Sequence, residues 1–267
     1  MSKHIELKKS IKDYWENPNT ISIIDSNLHK LEIDTVCRYL RVSDNLADIG
    51  CANAKATLNY ATKVYKCTGF ERSTYLLKKA RAAVSRSGIK NIVIRYGEIL
   101  DMGHIQNEFS AVVTQRMLIN LVSWREQKQA IINIHRMLKP RGRYIMIENT
   151  EDAFRALNKM RAMMGLNPVA KHWHNLFFVY KKLVRFLRDK FKIIDFQDFG
   201  LYYFLTRIYV QMFAPFVGYG RNIKKDPIFD KSDTAARIIF EKLHDCIKIE
   251  GIRALGPIHA FILERKN

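Results

Sequence analysis

Residues 45–57 read NLADIGCANAKAT, and this stretch decides the fold. An apolar run over Asn45–Cys51 contains a glycine near its end, and helical spacing follows over Ala54–Tyr65. A short apolar run, a tight turn and a helix in that order predict one strand-turn-helix unit. Small residues fill alternate positions of the turn, as is needed where a ligand approaches the backbone closely. The turn is therefore the first place where we expect a small molecule to bind.

The same alternation of strand and helix continues along the chain. Further strands are predicted over Lys66–Glu71, Asn91–Gly97, Phe109–Gln115 and Arg143–Asn149. Between them, apolar spacing predicts helices over Thr74–Ser87, capped by Ser73, and from Ser123 to Leu138. Five repeats of this kind indicate an α/β fold with a parallel, doubly wound sheet.

The pattern changes after Thr150. Helices are predicted over Glu151–Met164, Val179–Lys190 and Ser232–Ile247, and strands over Phe191–Gly200 and Ile258–Arg265. We divide the chain into an N-terminal helical cap (1–40), a ligand-binding core (41–150) and a region of lid insertions with the last two strands (151–267). Insertions at the carboxyl edge of such a sheet often cover a ligand site, so we expect the third region to hold the substrate.

The chain has 267 residues, of which 48% are hydrophobic, and this composition supports a sizeable buried core. It carries 45 Lys and Arg against 26 Asp and Glu, a formal net charge of +19. Such an excess favours an anionic substrate or a negatively charged surface, although a Lys- and Ile-rich background composition produces the same number. The excess is spread evenly, without the clustered stripe of a nucleic-acid binder, so we expect no nucleic-acid partner.

The cysteines and the longest apolar stretch bear on the compartment. The four cysteines, which show no CxxC spacing, are Cys37, Cys51, Cys67 and Cys246. Neither a metal site nor a disulfide framework is predicted, and a reducing cytoplasm suits such a chain. Phe199–Gly220 is apolar but interrupted by polar residues and a proline. We interpret it as lid or core, with a peripheral contact to a membrane surface as the open alternative.

Acidic residues follow two of the predicted strands at the edge where the glycine turn lies. Glu71 comes 21 residues after Gly50, at the end of the second strand. A carboxylate there can accept hydrogen bonds from both hydroxyls of a ribose. Glu98 follows the third strand. The alternative for Glu71 is a solvated residue at the start of a helix.

Four segments in this order resemble the class I S-adenosylmethionine-dependent methyltransferases. They are DIGCANAKAT (48–57), GFERSTYLLKKAR (69–81), YGEILD (96–101) and IHRMLKPRGRYIMIE (134–148). The resemblance covers about residues 40–150 and implies a Rossmann-like, mostly parallel seven-stranded sheet with an inserted lid. One departure stands out: the family usually has three alternate glycines in the first segment, whereas this chain has Gly50, Ala52 and Ala54.

The resemblance also implies a set of residues that bind S-adenosyl-L-methionine and its product S-adenosyl-L-homocysteine. Gly50 and Cys51 would face the methionine part, Glu71 the ribose, and Glu98 with Ile99 the adenine. Gln115 and Arg116 would close the site beneath the sulfonium. The full cofactor set is Tyr14, Trp15, Asp48, Gly50, Cys51, Ala52, Glu71, Arg72, Glu98, Ile99, Gln115 and Arg116.

Three more segments are similar to a subgroup of these enzymes associated with surface-polysaccharide or natural-product assembly. They are TQRMLINLVSW (114–124), YWENPNTISIIDSNLHKLE (14–32) and WHNLFF (173–178). The positive net charge favours a small anionic acceptor. We therefore expect O-methylation of a sugar, nucleotide-linked or phosphorylated intermediate of surface (capsular) polysaccharide biosynthesis.

An alcohol acceptor benefits from a general base, and histidine titrates near neutral pH. His174 and His172 flank Trp173 and are the predicted bases, with hydrogen-bonded loop residues as the alternative. A His-x-His pair can also bind metal, but no acidic or Cys partner lies nearby in the sequence, so no metal is predicted. The predicted acceptor-binding residues are Arg116, Trp173, Asn175, Tyr202, Tyr203 and Arg207. Arginine binds phosphate and carboxylate through two parallel hydrogen bonds.

Two readings from other classes stay open. One is an RNA or protein methyltransferase that uses the basic surface; the other is a non-catalytic S-adenosylmethionine-binding scaffold, which the alanines in the first segment allow. The sequence leaves open the identity of the acceptor, whether oxygen or nitrogen is methylated, and the oligomeric state.

Overall fold

The computed structural model describes residues 3–20, 24–217, 227–243 and 255–266. Its strands are β1 (Asn45–Ile49), β2 (Lys66–Glu71), β3 (Ile92–Tyr96), β4 (Phe109–Gln115), β5 (Leu138–Asn149), β6 (Phe191–Asp198) and β7 (Ile258–Arg265). They form one seven-stranded sheet in the order β3-β2-β1-β4-β5-β7-β6. β7 runs antiparallel to both of its neighbours, and the other pairs are parallel. The predicted fold class, an α/β doubly wound and mostly parallel sheet, is confirmed.

Helices surround the sheet and continue into the lid. They are α1 (Lys3–Glu16), α2 (Ser26–Tyr39), α3 (Lys55–Ala61), α4 (Thr74–Ser87), α5 (Trp124–Met137), α6 (Glu151–Met163), α7 (Tyr180–Lys190), α8 (Gly200–Phe204), α9 (Val210–Phe213) and α10 (Pro227–Leu243). One π-helical turn, Leu205–Tyr209, joins α8 to α9. Within the described ranges, none of these helices has both the length and the apolar character that a membrane span requires.

Most predicted elements occur close to their predicted bounds. β2, β4 and β7 have the predicted limits, and α4 begins behind Ser73, whose side chain accepts the N–H of Leu76. β5 begins earlier than predicted, at Leu138, because Phe109 pairs with Leu138 before a bulge shifts the register to the predicted strand. The last residues of the predicted helix over Ser232–Ile247, the end of Phe199–Gly220, and Cys246 lie outside the described residues.

The strands place alternate side chains on opposite faces, and each face has its own apolar core. Leu46 and Ala111 pack on the face covered by α2, α3 and α4. Ala47 and Val112 pack on the face covered by α5 and α7. Because both faces are buried, the strands contain nearly continuous apolar runs, as parallel sheets usually do.

The topology brings the predicted cofactor residues to one edge. β1, β2, β3 and β4 are parallel neighbours, so the residues that follow them lie together at their carboxyl ends. Ligands of doubly wound sheets bind outside this edge, where the strand order reverses. Here the reversal lies between β1 and β4, beside the turn that begins at Gly50.

Candidate active site

The turn after β1 keeps a glycine-type backbone although two of its positions are alanines. Gly50, Ala52 and Ala54 have φ angles of +76°, +49° and +64°, all in the left-handed region. Gly50 also has no room for a side chain, because a Cβ there would lie 2.3 Å from Cγ of Met117. The alanines therefore preserve the turn at the expense of backbone strain.

The strain leads to a prediction for Ala52→Gly. A left-handed alanine costs about 1–2 kcal/mol, whereas glycine loses somewhat more entropy on folding, so the free energy of unfolding should rise by about 0.5–1 kcal/mol. Urea unfolding of the variant measures this change. Ala56→Gly, inside helix α3, is the matched control and should instead lower stability by about 1 kcal/mol. A loss of stability in Ala52→Gly would contradict the strain argument.

Glu71 ends strand β2 at the carboxyl edge of the sheet. Its side chain is buried, and its two carboxylate oxygens accept the N–H of Ala52 at 2.9 Å and the N–H of Ser73 at 2.8 Å. Burial raises the pKa of Glu71, and the two N–H groups act in the opposite direction. An ionised carboxylate has about four lone-pair sites, so two remain for the hydroxyls of a ribose. The residues present therefore fit a nucleoside at this position.

Other charged side chains flank Glu71 along the same edge. Arg72 and Glu98 form an ion pair of 2.9 Å, the distance between a guanidinium nitrogen and a carboxylate oxygen. Asp48 is buried and accepts the hydroxyl of Thr57 at 2.7 Å. Burial raises the pKa of Asp48 to about 7. The Glu71 carboxylate also raises this pKa, whereas the hydrogen bond from the Thr57 hydroxyl lowers it. The edge is thus lined by carboxylates that are fixed by hydrogen bonds before any ligand arrives.

The end of helix α1 attaches to the start of helix α4. The hydroxyl of Ser73 donates to the carbonyl oxygen of Trp15 at 3.0 Å. The carboxylate of Glu16 accepts the N–H groups of Thr74 and Tyr75 at 2.8 and 3.0 Å, an arrangement that the N-terminal end of a helix favours. These bonds keep the ring of Trp15 next to the residues that surround Glu71.

Residues 165–175, called here the lid loop, bring two histidines to the same place. The ring of His174 lies 4.5 Å from that of Tyr14 and 5.7 Å from that of Trp15, measured between ring centroids. His174 is buried, and within the described chain its Nδ1 has no hydrogen-bond partner. Burial, together with His172, lowers the pKa of His174 to about 4. His174 is therefore neutral at neutral pH.

Arg207 connects the 200–217 segment to the start of helix α2 and to helix α10. Its guanidinium forms an ion pair with Asp25, at the start of α2, and lies 3.7 Å from Oδ2 of Asp233 on α10. The hydroxyl of Tyr202 donates to the same Asp25 at 2.9 Å. Burial raises the pKa of Asp233 to about 7, whereas Arg207 lowers it. The charge of Arg207 is thus already balanced by carboxylates of the protein.

A cavity of about 660 Å³ connects these groups. Every residue of the predicted cofactor set lines it, from Tyr14 and Trp15 to Gln115 and Arg116. The predicted acceptor side contributes residues from the lid loop and the 200–217 segment, namely His172, His174, Asn175, Tyr203 and Arg207. The structure does not bring Trp173 and Tyr202 to this lining, because the Trp173 ring is 57% exposed and the Tyr202 hydroxyl binds Asp25.

His29 and Glu32 of helix α2 lie beside the cavity, and neither was predicted from the sequence as a site residue. Glu32 is fully buried; its Oε2 accepts from Nε2 of Gln115 at 2.6 Å, and its Oε1 lies 3.1 Å from Nε of Arg116. His29 lines the cavity. The available signal was a His and a Glu three residues apart on one helix face, a spacing that also occurs on solvated helices.

Comparisons with known proteins agree with this geometry. Residues 46–142 match a family model described as a methyltransferase domain. A demethylmenaquinone methyltransferase of Symbiobacterium thermophilum is 28% identical over 114 residues, which are 41% of this chain and 44% of that protein. The chain therefore spans less than half the length of this curated relative.

Solved structures share the whole fold at low identity. The N-methyltransferase NodS of Bradyrhizobium japonicum WM9, in complex with S-adenosyl-L-homocysteine, superimposes with a TM-score of 0.56 at 13% identity; the match covers 98% of this chain and 99% of NodS. The [4+2]-cyclase SpnF superimposes with a TM-score of 0.59 at 18% identity, covering 98% and 92%. The part of the chain from residue 46 to 142 is a methyltransferase domain. Over nearly its whole length the chain has the fold of these solved structures, of which NodS is in complex with S-adenosyl-L-homocysteine.

Proposed function

We propose that this protein transfers a methyl group from S-adenosyl-L-methionine to a small molecule bound under the lid. The observation that carries the proposal is the shared cavity: the carboxylate edge around Glu71 and the lid residues His174 and Tyr203 line one space. Methyl transfer requires the acceptor and the methyl carbon in line and shielded from water, so a connected, covered cavity is what the reaction needs.

The cofactor supplies a methyl group on a positively charged sulfur. The residues of the chain would divide the remaining work. Glu71 accepts the ribose hydroxyls, and the rings of Tyr14 and Trp15 exclude water from that side of the cavity. The imidazole of His174, neutral at neutral pH, is in the form that accepts a proton from an acceptor hydroxyl.

The acceptor proposal keeps the class expected from the sequence: a small anionic sugar, nucleotide-linked or phosphorylated intermediate of surface-polysaccharide biosynthesis, methylated on oxygen in the cytoplasm. Its support is the net charge of +19 and the similarity of three segments to that subgroup. The fold alone does not select this reaction, since a [4+2]-cyclase superimposes on the chain as well. A scaffold that binds S-adenosyl-L-methionine without catalysis is the alternative, and a methyl-transfer assay separates the two.

The first test is a calorimetric titration of Glu71→Ala with S-adenosyl-L-homocysteine. A hydrogen bond to a charged group contributes about 1.5–3 kcal/mol, so the variant should bind at least about tenfold more weakly than the wild type. Glu241→Ala is the matched control, because Glu241 pairs with Arg237 outside the cavity lining. Equal affinities of Glu71→Ala and wild type would show that another residue binds the ribose.

A further inference from the structure

A buried polar cluster lies beneath the acceptor side of the cavity; it consists of His29, Glu32, Gln115 and Arg116 and is called here the Glu32 cluster. Nε2 of Gln115 lies 2.6 Å from Oε2 of Glu32 and 3.0 Å from Nδ1 of His29. The hydroxyl of Tyr60 donates to the amide oxygen of Gln115 at 2.9 Å. A carboxylate oxygen only accepts, so the atom facing Glu32 has to be the amide nitrogen.

This arrangement determines the tautomer of His29. The amide nitrogen of Gln115 has two hydrogens, and its two contacts use both. Nδ1 of His29 is therefore the acceptor, and the ring proton resides on Nε2. His29 is 6% exposed and lines the cavity, yet within the described part of the chain Nε2 has no hydrogen-bond partner. A buried donor without an acceptor is unfavourable, and a ligand oxygen would satisfy it.

Arg116 offers further donors beside His29. Its Nε faces Glu32, while its two terminal nitrogens have no ion pair or hydrogen bond among the described residues. The side chain is 28% exposed and lines the cavity. Its backbone φ of +50° is left-handed, which is uncommon outside glycine and is typical of functional positions. Because Glu32 anchors one side of the guanidinium, the other side is presented in a fixed orientation.

Tyr203 supplies a hydroxyl from the lid. The ring is buried and lines the cavity, and the hydroxyl has no hydrogen bond within the described ranges. Burial raises the pKa of Tyr203. The Glu32 carboxylate also raises this pKa, whereas the positive charges of Arg207 and Arg116 lower it. Tyr203 lines the same cavity as His29 and Arg116 of the Glu32 cluster. Arg207 contributes less here, because Asp25 and Asp233 already balance its charge.

We propose that His29, Arg116 and Tyr203 form a subsite for an anionic oxygen group of the acceptor, either a carboxylate or a phosphate monoester. This inference rests on the proposed function, since it takes the cavity as the acceptor site. All three side chains present donors, and both oxygens of Glu32 face Gln115 and Arg116 rather than the cavity. An anion with two or three oxygens matches such a set, whereas a cationic amine does not.

The test uses fluorinated probes on protein saturated with S-adenosyl-L-homocysteine. The anions are 4-fluorobenzoate and 4-fluorophenyl phosphate, and the neutral control is 4-fluorobenzamide; fluorine NMR line broadening measures their affinities. The wild type should bind at least one anion about tenfold more tightly than the amide, the effect expected of charge-assisted hydrogen bonds. The anion that binds more tightly shows whether the subsite takes a carboxylate or a phosphate monoester.

Two conservative variants assign the preference to these residues. Tyr203→Phe removes only a hydroxyl, and Tyr209→Phe, an exposed ring outside the cavity lining, is its control. His29→Asn keeps an acceptor for Gln115 but removes the Nε2 donor. Each cavity variant should weaken anion binding about tenfold and leave the affinity for the amide and the thermal unfolding midpoint unchanged.

Each outcome has a defined meaning. Equal binding of anions and amide by the wild type, no anion binding, or an anion preference that survives both cavity variants would overturn the subsite. If His29→Asn weakens binding of S-adenosyl-L-homocysteine but not of 5′-methylthioadenosine, which lacks the amino-acid part, the subsite holds the cofactor's own carboxylate and the proposal is wrong. Failure of the wild type to bind S-adenosyl-L-homocysteine would instead overturn the proposed function.

Discussion

Replacing Arg207 with alanine should lower the free energy of unfolding by about 3–5 kcal/mol, the range for removing one partner of a buried ion pair. Arg207 pairs with Asp25 and lies 3.7 Å from Asp233, and all three side chains are less than one fifth exposed. Without the guanidinium, two partly buried carboxylates remain with no cation between them. Urea unfolding, followed by circular dichroism, measures the loss.

The loss should also depend on pH. Burial already raises the pKa of Asp233 to about 7, and removing Arg207 eliminates the group that lowers it. A carboxyl whose pKa is raised in the folded state is best tolerated at low pH, where it is neutral, and destabilises the fold as the pH rises through about 7. Because the pKa of Asp233 lies higher in the variant, the difference in unfolding free energy between Arg207→Ala and wild type should grow as the pH rises above about 7.

Arg155→Ala is the control for the Arg207 variant. Arg155 pairs with Glu151 on α6, but its side chain is 77% exposed, so its removal should change stability by no more than about 1 kcal/mol. If both variants lose the same small amount, the network around Asp25 contributes no more than a surface ion pair.

The second large effect is expected at His174. If His174 accepts the proton of an acceptor hydroxyl, His174→Ala should lower kcat by about 10²–10⁴-fold while affinity for S-adenosyl-L-homocysteine stays nearly unchanged. We expect the lower end of that range, because burial and His172 lower the pKa of His174 to about 4 and weaken it as a base. Steady-state kinetics with an acceptor that the wild type methylates measures kcat. Calorimetry with S-adenosyl-L-homocysteine measures the affinity for the cofactor product.

The pH profile provides an independent check on His174. An imidazole with a pKa of about 4 is neutral above that value, so the acidic limb of kcat/KM, which reports groups of the free enzyme, should fall near pH 4 rather than near the ordinary 6.5. His135→Ala, outside the cavity lining, should leave kcat unchanged. Normal turnover in His174→Ala would leave His172 as the base, or an acceptor that needs none. If the pH–rate profile of the His172/His174 double variant still has a limb near neutral pH, neither histidine is the base.

The fold was predictable from the sequence because its signals are local. Ser73 and Ser123 cap their helices, and β2 and β4 end at the predicted residues. The position of β7 was not predictable, since an antiparallel strand between β5 and β6 follows from pairing across distant parts of the chain. Periodicity within a strand says which face is buried but not which neighbour it meets.

The residues of the candidate site were predictable where they follow the parallel strands and less so where they lie under the lid. Glu71 and the turn after β1 follow from strand ends, which a parallel sheet brings to one edge. The roles of Arg207 and Tyr202 in binding Asp25 depend on contacts between residues about 180 positions apart, which no local pattern reveals. Glu32 and His29 were missed for the same reason: the partners Gln115 and Arg116 come from β4 and the turn that follows it.

The position of β7 has a consequence for how the protein is made. Among the described residues, β6 pairs only with β7, whose first residue is synthesised about 60 residues after the end of β6. At roughly 5–20 residues per second, a ribosome needs about 3–12 s for that distance. During this interval the edge of β5 and the whole of β6 are unpaired, and such edges pair readily with other chains. We therefore expect the yield of folded protein to depend on the speed of translation across residues 199–257. It should also depend on chaperones that bind β6 before β7 has been synthesised.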